Sequence, residues 1–278
     1  MIQVGKVSDV PADPVPDDLW ERIAPLLPPA PKRRSRHPGR LRVPDRTALA
    51  GIMYVLRTGV AWRDVPSETV GCSGVTAWRR LRDWTEAGVW PRLHAVLLDE
   101  LRRAGLLDLD DCAVDGSHVR ALKRGDHIGP SPVDRARPGS KHHLIVDRHG
   151  TPLAVTLTGG NRHDVTQLLP LLDAVPPIRG LRGRPRRRPR RLYADRGYDF
   201  DKYRRLLWKR GIKPMIARRG IVHGSGLGKV RWVVERAFAW LHQFKRLRIR
   251  YEIRADLHQG LLGLACSLIC LRRLRTSF

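Results

Sequence analysis

The spacing of apolar positions changes character once along the chain, near residue 108. Before it the period is helical. From Asp17, the residues Leu19, Trp20, Ile23, Leu26 and Leu27 recur at helical spacing until Pro28 and Pro29 end the pattern. The following stretch, PAPKRRSRHPGRLRVP, has no period and reads as an exposed basic loop. Leu49, Ile52, Met53 and Leu56 predict a second helix to Thr58, with Asp45 as its N-cap. After the turn TGVAWRDVP, Ser73 offers an N-cap to a third helix with Val75, Trp78, Leu81 and Trp84 inward. Arg79, Arg80 and Arg82 then fall mostly outside the buried face. A fourth helix spans about 90–104.

Beyond Asp110 the pattern becomes β-like. CAVDGSHV reads as a short strand with a polar end. KHHLIVDRHG and TPLAVTLTGG are two β-rich runs joined at Arg148–Thr151, where Gly150 supports a hairpin turn. Residues 164–174 predict a helix, RLYAD a strand ending at Asp195, 200–210 a helix, IKPMIA a strand, 229–244 a long helix and 256–273 an apolar one. Such an order predicts an α/β fold, a mixed sheet flanked by helices behind a helical region. The expected division is a flexible N-terminus at 1–16, a helical domain at 17–107 and an α/β domain at 108–278. Residues 182–191, RGRPRRRPRR, interrupt the second domain. Pro and like-charge repulsion mark them as a solvated loop.

Charge changes this picture most. Lys and Arg number 53 against 27 Asp and Glu, a net charge of +26. A field of that sign gathers polyanions, and nucleic acid is the expected partner. In that light the helices before residue 90 resemble a helix-turn-helix, whose second helix enters the major groove, with a plain helical bundle as the alternative. Arg79, Arg80 and Arg82 are its candidate DNA contacts. Cys72, Cys112, Cys266 and Cys270 form no CxxC pair and no zinc spacing, which fits a reducing compartment. The N-terminus lacks the apolar core of a signal peptide. The longest apolar run is about 11 residues where a membrane helix needs roughly 20, so the expectation is a soluble cytoplasmic protein.

Asp115 and Asp195 each end a predicted strand, where ligands commonly bind on such sheets; a turn aspartate bonded to local backbone is the plainer reading. On the helix from Val230, the residues Val233, Val234, Ala237, Phe238, Leu241 and Phe244 continue one apolar stripe. Arg231, Glu235, His242 and Arg246 gather on its flank, where an ordinary Arg231–Glu235 pair is the alternative. Two aspartates and a glutamate from separate elements make a hard oxygen donor set, suited to Mg²⁺ or Mn²⁺ and to a pair of such ions acting on a phosphodiester.

VDGSHVRA, GPSPVDRARPGSKHHLIVD, LTGGNRHD, YADRGYD, ARRG…HGSGLG and RWVVERAFAWLHQFKRLRIRYE follow one another in order, together with LWERIAPLLPP and RTGVAWRDVP near the start. In these motifs the chain resembles bacterial insertion-sequence DDE transposases of the group numbered five, actinobacterial branch, over about residues 17–275. The resemblance implies an RNase H-like catalytic domain behind a DNA-binding one, and cut-and-join chemistry at terminal inverted repeats. It implies Asp115, Asp195 and Glu235 as catalytic, metal-holding carboxylates with two Mg²⁺ ions (Mn²⁺ substituting), and double-stranded DNA as partner, bound by a dimer. Arg231 matches the arginine four residues before the glutamate. His242 stands where many relatives carry Lys or Arg seven residues after it, a role that Arg246 could cover. Gly116 replaces an expected small polar residue. His118, Asn161, His163 and Arg196 complete the candidate DNA contacts. A catalytically dead DNA-binding regulator, a nuclease that never joins, and a two-carboxylate glycosidase are the competing readings; the charge and the few Tyr and Phe disfavour the last.

Overall fold

The computed structural model describes residues 14–32, 35–37, 40–220 and 228–276, without the side chain of Lys229. Most of the N-terminal stretch expected to be loose, and the HGSGL part of the motif at 217–228, lie outside the described residues. The chain divides into two compact units, Met1–Val89 and Trp90–Phe278.

The first unit is helical. It holds α1 (Asp17–Ile23), α2 (Asp45–Thr58), the short α3 (Ser67–Val70) and α4 (Gly74–Glu86). The turn TGVAWRDVP after α2 contains a 3-10 turn at Trp62–Asp64, and the short α3, which the sequence did not predict, follows it. Ser73 caps α4 as expected, accepting from Thr76 N at 3.3 Å. Gly74 is required beside it: a Cβ there would lie 1.5 Å from the Trp62 carbonyl oxygen. Asp45 is not an N-cap. It is the first residue of α2, and its carboxylate accepts instead from Arg42 at 2.8 Å and Arg80 at 2.9 Å. Burial on α4 falls on Ala77, Arg80, Leu81 and Trp84, leaving Val75 exposed. The inward face is thus turned from the expected one, because Asp45 draws Arg80 inward as an ion pair.

The second unit opens at Trp90, the second residue of α5 (Val89–Arg103), and then lays down a mixed sheet. Its strands are β1 (Asp111–Ala121), β2 (Gly129–Pro130), β3 (Pro138–Val146), β4 (Pro152–Gly159), β5 (Arg191–Ala194), β6 (Lys213–Ile216) and β7 (Ile249–Arg250). The order across it is β4-β3-β1-β5-β6, with β2 also on β3 and β7 also on β1. β1–β3 and β3–β4 are antiparallel, while β1–β5 and β5–β6 are parallel. The helices α6 (Leu168–Asp173), α7 (Asp201–Lys209), α8 (Gly228–Gln243) and α9 (Ala255–Arg275) supply the flanks. This is the α/β, RNase H-like arrangement expected, behind a helical N-terminal region.

Short-range chemistry explains the hairpin. Asp147 Oδ1 accepts from the backbone N–H of His149 (2.9 Å) and Thr151 (2.7 Å), and Gly150 takes φ 84°. β3 is buried from Gly139 to Val146 although its sequence includes Lys141, His142 and His143. α9 buries nearly every residue from Leu257 to Leu271 and packs on β4 and α8. No described helix is long and apolar enough to cross a membrane.

Candidate active site

β1 is longer than its sequence predicts, and Asp115 lies in its middle rather than at its end. The reason is asymmetric pairing. On one side β1 pairs with β3 from Ala113 to Arg120. On the other, the ladder to β5 stops at Ala113↔Tyr193. Two residues beyond that last pair the two chains reach Asp115 and Asp195, side by side where β5 ends. Neighbouring strands run about 4.8 Å apart, so this register alone brings two carboxylates together.

The third carboxylate comes from α8. Its apolar stripe of Val233, Val234, Ala237, Phe238 and Leu241 is buried, as the periodicity requires. Arg231 and Glu235 sit one turn apart on its flank. Arg231 Nη2 lies 3.1 Å from Glu235 Oε1 and 3.8 Å from Asp115 Oδ2, so one guanidinium stands between two carboxylates. Glu235 itself is mostly exposed, at 61% of its side chain.

The electrostatics are those of a site short of positive charge. Burial pushes the Asp115 carboxyl up to about 6; a hydrogen bond from Gly116 N and the Arg231 charge oppose this, while Asp195 and Asp164 add to it. Asp195 Oδ1 is buried without a hydrogen-bond partner. A buried acceptor left unmet is costly, and a cation is its natural complement. Among the described residues no three His, Cys, Asp or Glu side chains converge closely enough to hold a metal ion. The donor chemistry of Asp115 and Asp195 nonetheless fits a hard divalent cation. The place between Asp115 and Glu235 is held by Arg231.

Asp164 was missed in the sequence, where it reads as the first residue of a helix. It accepts from Lys141 Nζ at 3.0 Å, and Lys141 also donates to the Arg162 carbonyl at 2.8 Å. A Cβ on Gly116 would lie 2.8 Å from Asp164 Oδ1, which accounts for glycine after Asp115. The available signal was an acid directly after the polar loop GGNRH.

The remaining candidates separate. His118 and His242 line one cavity of about 390 Å³ with Ala239, Gln243 and Arg248. His118 Nδ1 is 3.3 Å from Ser131 Oγ, and burial lowers the pKa of both histidines. Asn161 and His163 are exposed on the loop after β4, and the Asn161 side chain covers Gly129 and Gly159. Arg196 follows Asp195 in a 3-10 turn, its carbonyl accepting from Arg219. Arg246 is not on the α8 flank. α8 ends at Gln243, and Arg246 is buried with Glu252 at 2.7 Å, because the chain turns inward through a 3-10 segment at Lys245–Leu247. In the helical unit, Arg79 is exposed, Arg82 pairs with Asp83 at 2.8 Å, and Arg80 is buried against Asp45. A groove of about 630 Å³ there is lined by Arg40, Arg42, Thr76, Arg79 and Arg80 among others.

Comparison with known proteins bears on the same residues. "Putative transposase for insertion sequence element IS402" of Burkholderia cepacia is 67% identical over 147 residues, 53% of this chain and 70% of that protein. "Insertion element IS402 uncharacterized 16.2 kDa protein", from the same organism, is 55% identical over 119 residues, 42% of this chain and 80% of that one. The solved structure titled "Crystal structure of the Mos1 mariner paired end complex with Mn" aligns over 89% of this chain and 82% of its own. Its identity is 11% and the TM-score 0.31, a likeness too slight to build on. Residues 15–94 match the family described as "Putative transposase of IS4/5 family". Residues 107–270, more than half of the chain and including all three carboxylates, match the one described as "Transposase DDE domain". The chain therefore belongs to the transposase DDE domain family, among insertion-sequence transposases related to the IS4/5 group.

Proposed function

We propose that this protein cuts DNA at the terminal inverted repeats of an insertion sequence and joins the freed 3′ ends to target DNA. Its ordered motifs support membership of insertion-sequence group five, actinobacterial branch. The observation that carries the chemistry is the register of β1 and β5, which sets Asp115 beside Asp195 with a buried, unpartnered oxygen on the latter.

Asp115, Asp195 and Glu235 are the residues that would hold divalent cations, two Mg²⁺ ions or Mn²⁺ in their place. When bound, such a pair supplies activation of the attacking oxygen and charge relief at the leaving one. Asp115 and Asp195 act from the sheet, a rigid support that fixes their separation. Glu235 acts from the edge of α8, where its exposure leaves it free to turn toward a bound strand. Arg231 offers a guanidinium to the phosphate being exchanged, in keeping with its seat between two carboxylates. No covalent enzyme intermediate is required, and Cys72, Cys112, Cys266 and Cys270 are all buried. His118, Asn161, His163, Arg196 and His242 border the path of the strand. The helical unit grips duplex DNA through its arginine-lined groove and Arg79. A net charge of +26 supports duplex DNA as partner, held by a dimer in the cytoplasm at the nucleoid.

The test is cleavage and joining of a labelled duplex that carries the element's terminal repeat, in Mg²⁺, Mn²⁺ or EDTA, with wild type beside Asp195→Asn. Metal-dependent nicking and strand transfer, both lost in the variant, are expected. Tight end binding without nicking in either metal would instead make the chain a DNA-binding regulator, and nicking without joining a nuclease.

A further inference from the structure

Residues 182–191 read as a solvated loop in the sequence. The structure ties them down. Ile178 and Arg186 exchange both backbone hydrogen bonds, at 2.8 and 3.0 Å, and so close a small antiparallel loop. Arg186 Nη2 meets Asp110 Oδ1 at 2.8 Å, and Arg191 Nη2 meets Asp111 Oδ2 at 2.7 Å. The Arg186 hydrogen bond holds the Asp110 carboxyl below its usual range.

Those two arginines serve as anchors. Arg179, Arg182, Arg184, Arg187, Arg188 and Arg190 are exposed, and among the described residues no carboxylate lies within ion-pair distance of any of them. Only carbonyls meet Arg187 and Arg188, those of Val175 and Arg210 at 3.4 Å each. Cations so close in sequence repel one another, and the nearest acids do not cap their guanidinium groups: Asp99 accepts from the Arg179 backbone N–H at 2.6 Å, and Asp110 is taken up by Arg186. A polyanion relieves that repulsion. Phosphate oxygens fit best, since a guanidinium fork engages them with two hydrogen bonds. Pro185 and Pro189 restrict the backbone between the arginines and reduce the entropy lost on binding.

Position separates this patch from the carboxylates. Asp111 and Arg191 open β1 and β5, while Asp115 lies four residues further along β1 and Asp195 four residues on, just past the end of β5. At roughly 3.3 Å per residue that is about 13 Å. A duplex held by the arginines is therefore gripped away from the bond at the carboxylates.

We propose that the anchored arginine segment 179–190 is a second DNA-holding surface, which binds the phosphates of duplex DNA without reading their sequence. The proposal rests on the reading of DNA as substrate, but its test does not depend on catalysis. Binding of the full chain to a random-sequence duplex is measured in EDTA across a salt series. The comparison is between wild type and a variant in which Arg182, Arg184, Arg187, Arg188 and Arg190 are all replaced by Gln. Each phosphate contact contributes about 0.9 to the slope of log affinity on log salt, so the slope should flatten by about three or more. Flattening by less than about one contact, with folding intact, overturns the proposal whether or not the wild type cuts DNA. A change seen with duplex RNA but not duplex DNA also overturns it. Should the five-site variant fail to fold, Arg182→Gln with Arg184→Gln removes two side chains that make no hydrogen bond among the described residues. It should flatten the slope by about one to two, and an unchanged slope overturns the proposal.

Discussion

Two carboxylate–arginine groupings in the second unit are built to opposite ends. Around Glu252 each charge is met. Arg246 reaches Oε1 through Nε (2.9 Å) and Nη2 (2.7 Å), His258 Nδ1 stands 3.4 Å from Oε2, and Arg250 donates to the Glu252 carbonyl and Ser140 Oγ. Burial pushes Glu252 up, but His258 and Arg246 outweigh it and hold the carboxyl at about 2. Around Asp115 burial wins and the carboxyl rises to about 6, with Arg231 3.8 Å away and Asp195 and Asp164 adding repulsion. The first grouping closes its own electrostatics and serves the fold. The second leaves a deficit that a ligand must fill, as sites that act on charge commonly do.

That contrast can be broken most sharply by removing each carboxylate. Asp115→Asn and Asp195→Asn should each lower strand cleavage by on the order of 10³-fold or more, while thermal unfolding stays level or rises slightly, since a repelled charge is gone. Unfolding of either variant would place these residues with Glu252 instead. Glu252→Gln should do the reverse. It strands Arg246 in the interior and should cost about 3–5 kcal/mol by urea unfolding; a cost below about 1 kcal/mol would mean that the buried network is not structural.

A smaller effect tests the boundary of the site. Gly116→Ala sets a methyl 2.8 Å from Asp164 Oδ1 and should cost about 1–3 kcal/mol through the shift it forces. Asp164→Ala in the same chain should recover part of that loss. Strict additivity of the two changes would show that they do not meet.

A last effect is spread over pH. Burial lowers His94 to about 4, from 6.5, and holds His142 and His258 below the ordinary range. Unfolded, each takes up a proton as pH falls through about 6.5, whereas folded His94 waits until about 4. The His94 contribution is then complete above 6.5 and declines toward 4 by up to about 1.4 kcal/mol per pH unit, and His142 and His258 act with the same sign. Glu252 has the same sign in a lower window, from 4.5 down to about 2. A flat urea midpoint between pH 7 and 5 would contradict this.

Much of the architecture was legible because it follows local rules. The Ser73 cap, the Gly150 turn, the α8 stripe and the strand ending before Asp195 depend on residues within a few positions of each other. The misreadings share a different cause. Asp45 drew Arg80 from 35 residues away and rotated the buried face of α4. Arg246 left the α8 flank because a buried glutamate waited after the next turn. Asp164 joined the site through Lys141, 23 residues earlier, across the β3–β4 hairpin.

By itself, then, the sequence determined the long elements, their order, the basic character and the three carboxylates whose motifs mark the family. Each is a property of neighbours in the chain or of composition. Only the tertiary structure decided which cations remain available, since an arginine beside a distant acid is spent and one without such an acid is not. It also decided that Asp115 and Asp195 stand level, because strand register is set by pairing between segments about 80 residues apart.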